Sequence, residues 1–166
     1  MNLNLTPAHI HLILNHIPII GVAFVAVQLL IALIYRNQLM QKVSLVFLVG
    51  IALTTAIVYQ TGDGTAAAVK NLPGVSAALI NAHSNAAHFG LAVMFVIGCV
   101  ALGGLLLFIR RDKLPRLFVV AVFVLTLVAT GIMIWIGYLG GQIMHSEIRQ
   151  QSLIVAPLAL SWINGL

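Results

Sequence analysis

Charge is what this chain has least of. Its 166 residues include 3 acidic and 8 basic side chains, and charged residues make up 7% of the total. So few carboxylates leave no paired-carboxylate arrangement for general acid–base hydrolysis and no Ser-His-Asp constellation. Cysteine occurs once, as Cys99. A single thiol excludes a disulfide within the chain, a c-type haem attachment site and a nucleophilic Cys arrangement. Gly103-Gly104 and Gly140-Gly141 lie in no P-loop pattern, so they read as sites of close packing or entry of a flat cofactor, not as phosphate cradles. A free-standing hydrolytic enzyme is not expected.

In place of charge there is apolar surface. Hydrophobic residues reach 61% and the mean hydropathy is +1.12, far outside the range of soluble globular domains. Crossing a bilayer takes ~20 mostly apolar residues. Four charge-free runs meet that length, at about 10–35, 43–61, 86–109 and 117–143. The first lacks a preceding Lys or Arg and is too long for a cleaved signal peptide, so it is expected to stay as a helix. These runs predict an all-α membrane protein of four transmembrane helices over 1–147, up-down-up-down. The tail, 148–166, has an apolar core too short to span and is interrupted by Pro157, which suits an interfacial or partner-docked segment.

Cations set the expected orientation. Arg36 and Lys42 flank the loop between the first two helices, and Arg110, Arg111, Lys113 and Arg116 crowd the loop between the last two. The positive-inside rule then puts both basic loops in the cytoplasm and both termini outside, in the periplasm of a bacterial inner membrane. The sequence pI near 10.0 is therefore a matter of topology, and the basic-patch case for nucleic acid fails.

All six histidines fall at the opposite, outer end. His9, His11 and His16 open the first helix, His83 and His88 open the third, and His145 follows the fourth. Counting up from the basic residues at 1.5 Å per residue puts His16 and His88 roughly 30 to 33 Å up, at the edge of the hydrocarbon. His11, His83 and His145 come out about 37 to 43 Å up, as an outer tier. Buried ionisable groups in a membrane mark functional sites by default. His9 precedes the apolar run and is the weakest member of the set.

"HLILNHIPIIGVAFV" from His11 and "HSNAAHFGLAVMFV" from His83 share H-x4-H, a following glycine and an aromatic-valine step. "TAIVYQTG" from Thr55 and "TGIMIWIG" from Thr130 echo each other more faintly. Together they suggest a duplicated helical hairpin with its axis along the membrane normal, which would set His16 and His88 facing each other across the bundle. Residues five apart on a helix point about 140° apart, so one H-x4-H pair does not serve one small ion. A planar cofactor held between helices by axial histidines suits the spacing better, and b-type haem is the leading candidate.

Asn15 shares a face with His11 and is expected to accept from its imidazole or to cap a helix. Pro18 cannot donate to the carbonyl of Leu14 and should bend the helix there. Lys70 and Arg149, the cations at the outer side, are candidate partners for haem propionates as well as ordinary solvated charges. Tyr59, Trp135 and Tyr138 fit an aromatic belt. "VSAALINAH", from Val75, reads as a short helix lying across the outer surface.

"HLILNHIPIIG" from His11, "LPGVSAALINAHSNAAHFG" from Leu72 and "YLGGQIMHSEIR" from Tyr138 together resemble a family of small four-helix bacterial inner-membrane proteins catalogued only as a domain of unknown function. The resemblance runs over nearly the whole chain to Arg149. It implies that His11, His16, His83 and His145 are characteristic histidines, whereas His88 matches none of them. It carries no activity.

The expected function is a b-type membrane cytochrome with one or two haems near the outer face, passing electrons between the quinone pool and a periplasmic redox protein such as a c-type cytochrome. His16 is the first expected axial ligand, opposite His88 or His83, with His11 and His145 as a second pair or as proton-handling groups. The alternatives are a Cu, Fe or Zn site built from outer histidines with Glu147, and a structural subunit of a larger respiratory or photosynthetic complex. A homodimer is compatible with each of them.

Overall fold

A computed structural model describes residues 5–108 and 110–149 of the chain. The expected interfacial tail lies, from residue 150 onward, outside the described residues. Among the described residues five complete helices are present: α1 Pro7–Leu14, α2 His16–Ile34, α3 Gln38–Val69, α4 Ala77–Leu107 and α5 Arg116–Met144. With α1 and α2 taken as one segment, Pro7–Ile34, four segments among the described residues are long and apolar enough to cross a membrane.

The break between α1 and α2 follows from Pro18. Proline has no N–H for the carbonyl four residues earlier, and its ring crowds that carbonyl. That carbonyl belongs to Leu14, where α1 ends. Asn15 keeps right-handed helical angles, φ −60 and ψ −24, so the axis bends without unravelling. At the other end of α1, Thr6 and His9 form a capping box, with Pro7 in the first turn. His9 is thus occupied in starting the helix.

Helix α2 packs on α3 and α5, and α4 packs on the same two neighbours, closing a ring of four. The seam is filled by Leu29, Leu45, Leu48, Met94, Val22 and Val122, all nearly without exposure. Ser44, Thr55 and Thr126 are buried among them, and each returns its hydroxyl proton to the carbonyl four residues back, at 2.7 to 2.8 Å. Their polarity is thereby satisfied inside their own helix. Between apolar helices in lipid, association depends on close contact, which small residues allow. Gly98 meets Ala52, Gly21 meets Ile51, and Gly104 lies under the Phe118 ring. The outward faces carry Phe24, Val27, Leu53, Phe95, Val124 and Leu127, as a lipid-facing surface should.

Two helices run further than the apolar runs. α3 continues through "GDGTAAAV" to Val69, and α4 begins at Ala77, so the stretch read as a separate surface helix forms its first turns. α3 is 32 residues long, or about 48 Å, against a hydrocarbon core of ~30 Å. Its glycines do not stop it because α1 lies on this overhang: a Cβ at Gly64 would come within 2.7 Å of Pro7. Thr61 and Thr65 bond back to the carbonyls of Val58 and Thr61 at 2.8 and 2.9 Å. Tertiary contact here outweighs the roughly 1 kcal/mol helix penalty of a glycine.

At the opposite end the two basic loops touch. Lys42 donates to the carbonyl of Arg111 at 2.9 Å, and Leu114 N–H donates to Gln38 Oε1 at 2.8 Å. This places the cations at one end of the bundle and the histidines at the other, as the alternating topology requires.

Candidate functional site

The histidine-bearing helices each send one imidazole into the bundle. In α2 the buried stripe runs through Pro18, Val22, Val25, Leu29 and Ala32. Carried back toward the start of the segment at 100° per residue, the stripe meets Asn15 and His11 and leaves His16 roughly 140° away. In α4 the stripe of Ala86, Gly90, Met94, Ile97 and Ala101 leads back to His83, with His88 on the other side. Accordingly His11 and His83 are half-buried, whereas His16 and His88 are exposed. The expectation that His16 and His88 face each other is corrected. The 140° separation within each H-x4-H pair holds, but the first histidine of each pair, not the second, looks inward.

The two inward rings make matching contacts. His11 Nδ1 lies 2.9 Å from the Val58 carbonyl and 3.2 Å from Thr61 Oγ1. His83 Nδ1 lies 3.1 Å from the Ile136 carbonyl. A carbonyl has no proton to give, so in both rings Nδ1 carries the hydrogen and donates. In the neutral imidazole Nε2 is then the nitrogen with the free lone pair. Each ring also lies beside the glycine four residues after its carbonyl. Carbon Cε1 of His11 would be 4.0 Å from a Cβ at Gly62, and Cε1 of His83 would be 3.0 Å from one at Gly140. His11, Val58 and Gly62 therefore correspond to His83, Ile136 and Gly140. The correspondence aligns "VYQTG" with "IGYLG", one turn away from the alignment that the Thr55 and Thr130 echoes suggest.

Asn15 takes a different role from the expected one. Val58, not Asn15, holds the His11 ring, and Asn15 Oδ1 is a buried acceptor without a partner at the bend above Pro18. An orphaned acceptor in this position is a place for a donor brought by a ligand or a water.

The remaining sequence candidates spread around the rim. Tyr59 hydroxyl and His88 Nδ1 are 3.1 Å apart, with ring centroids at 5.9 Å. His145 caps α5 and contacts Glu147 Oε1 at 2.8 Å, both side chains being mostly exposed. The Glu147 carboxyl is held below the usual carboxylate range, first by its own backbone N–H and then by His145. Lys70 is exposed at the C-cap of α3. Arg149 donates to the Gly74 carbonyl at 3.0 Å, tying the chain after α5 to the turn between α3 and α4. Tyr59, Trp135 and Tyr138 are partly exposed at the level of the two histidine contacts, as an aromatic belt would be.

Among the described residues, no three His, Cys, Asp or Glu side chains gather as a metal-binding group. The expected Cu, Fe or Zn site of three or four outer histidines with Glu147 is not assembled by these positions. What the structure shows is two half-buried imidazoles, each with Nδ1 on the carbonyl of a neighbouring helix. No family model, curated protein or solved structure matches the chain.

Proposed function

We propose that this chain is a b-type membrane cytochrome in which His11 and His83 are the axial ligands of one haem. The carrying observation is that both inward imidazoles have Nδ1 bound to a helix carbonyl, which in the neutral ring leaves Nε2 as the nitrogen able to ligate. A metal-ligating histidine typically hydrogen-bonds through its other nitrogen, which fixes the tautomer and ring orientation and raises ligand basicity. The donor set is of the kind haem b takes, two imidazole nitrogens from different helices, and His11 and His83 would hold it. When bound, haem supplies a one-electron redox couple. The chain would supply the rest: His11 and His83 would hold the group, Gly140 leaves room for the His83 ring, and the apolar seam below excludes water.

In this reading the protein passes electrons between the quinone pool and a periplasmic redox partner such as a c-type cytochrome. The cation-rich loops lie in the cytoplasm of a bacterium and both termini lie outside. The position of the two histidines at the end of the apolar spans supports exchange with a partner at that face.

An absorbance spectrum of the purified protein tests the reading. A Soret band that shifts on dithionite reduction is expected, and it should vanish in His11→Ala and His83→Ala while surviving in His16→Ala and His88→Ala. A colourless protein after expression with ample haem would overturn it.

A further inference from the structure

The opposite end of the bundle carries a second site. Between the two basic loops lies a cavity of about 280 Å³ whose lining includes Arg36, Gln38, Gln41, Lys113, Leu114 and Arg116. Its three cations are exposed, and among the described residues no carboxylate pairs with any of them. Asp112, beside Lys113 in sequence, makes no ion pair with them, and the three cations leave the cavity rim with a net positive charge. Helix α5 adds to it: Arg116 is its first residue, and Pro115 provides no side-chain cap for the first-turn N–H groups. A helix N-terminus with open N–H groups favours an anion.

A second, independent feature points to more than a bare anion. Gln41 is 4% exposed and lines the same cavity. Its Nε2 donates to the Ala32 carbonyl at 3.2 Å, which fixes the amide orientation. Its Oε1 is left buried with no partner. An occupant that satisfies both features must present an anionic oxygen to the cations and a hydroxyl or other donor to Gln41 Oε1. The cavity sits at the end of apolar spans, beside helix faces suited to acyl chains.

We propose that this cavity binds the phosphoglycerol headgroup of an anionic phospholipid. The phosphodiester lies among Arg36, Lys113 and Arg116, and a glycerol hydroxyl donates to Gln41. Basic pockets between transmembrane helices are suited to such headgroups. The site is separate from the histidine pair and stands whether or not haem is bound.

Native mass spectrometry of the full chain in detergent, titrated with phosphatidylglycerol, phosphatidylcholine and phosphatidic acid, tests it. One phosphatidylglycerol should be retained per chain in preference to both other lipids. Arg36→Gln, Lys113→Gln and Arg116→Gln should each weaken that retention by about five-fold. Arg110→Gln, a cation at the same end outside the cavity, should leave it unchanged. Gln41→Leu should erase the preference over phosphatidic acid. If that buried variant fails to fold, the three exposed charge variants decide. Equal retention of phosphatidylglycerol and phosphatidylcholine overturns the site. An Arg110→Gln effect as large as that of Arg116→Gln reduces it to a general basic surface. Displacement by millimolar inorganic phosphate assigns the cavity to free phosphate and overturns the lipid.

Discussion

At the histidine end two imidazoles lie between helices with one nitrogen each bound to a carbonyl, whereas at the cation end Arg36, Lys113 and Arg116 stay on the rim and only the neutral Gln41 goes inside. The difference follows from what burial costs. A neutral ring or amide needs its hydrogen bonds met, while a guanidinium or ammonium in the same place needs a counter-charge. This chain, with 3 acidic residues, has almost none to give. One end therefore holds fixed rings, and the other keeps charges free to meet an anion from outside.

The comparison breaks most visibly at the inward rings. His11→Ala or His83→Ala should abolish the haem spectrum, while removing either outward histidine should leave it, and retention of the band in His83→Ala would reject that ligand. Glycines beside a ring come next. A Cβ at Gly140 would press on His83, and one at Gly104 on Phe118, so alanine at either should lower thermal stability by about 1 to 3 kcal/mol. Gly103 and Gly131 have nothing within 4 Å of the added atom, and alanine there should be neutral or stabilising by up to about 1 kcal/mol. Equal melting temperatures for Gly103→Ala and Gly104→Ala would contradict the packing described.

Smaller effects test the cation end and the rim. Lys42→Gln removes the donor to Arg111, with an expected loss of about 1 kcal/mol in denaturant unfolding. The smallest change concerns Glu147. Its own backbone N–H first, and then His145, hold its carboxyl below the usual range, so these contacts are in force above that range and fade only as pH falls through the lowered value. The carboxyl carbon resonance of Glu147 should therefore titrate below that of a free glutamate, and a midpoint at or above the ordinary one would dismiss the contact.

The four spans were legible because apolar length alone decides them, and α5 begins and ends within one residue of its apolar run. The ends of α3 and α4 were hidden, since they pass Asp63 and Asn81 into a layer that a search for lipid-compatible runs discards. Which histidine of each pair turns inward was hidden for a different reason. Height along the membrane says nothing about direction around a helix. The stripe of small residues Ala86, Gly90 and Gly98, buried in α4, carried that direction, because small residues mark the face that meets a neighbour. His83 continues that stripe and His88 does not. The carbonyls of Val58 and Ile136 left no side-chain signal of their own. Gly140, four residues on from Ile136, was the readable trace of a ring lying nearby.

The pairing of His11 with Val58 and of His83 with Ile136 has a consequence for the order of assembly. Each contact closes within a single helical hairpin, the first spanning α1 to α3 and the second α4 to α5. A hairpin leaving the insertion machinery can therefore set its own imidazole before it meets the other half. The contacts of α2 with α5 and of α3 with α4 are the ones that join the two hairpins, each of which carries its own histidine–carbonyl bond.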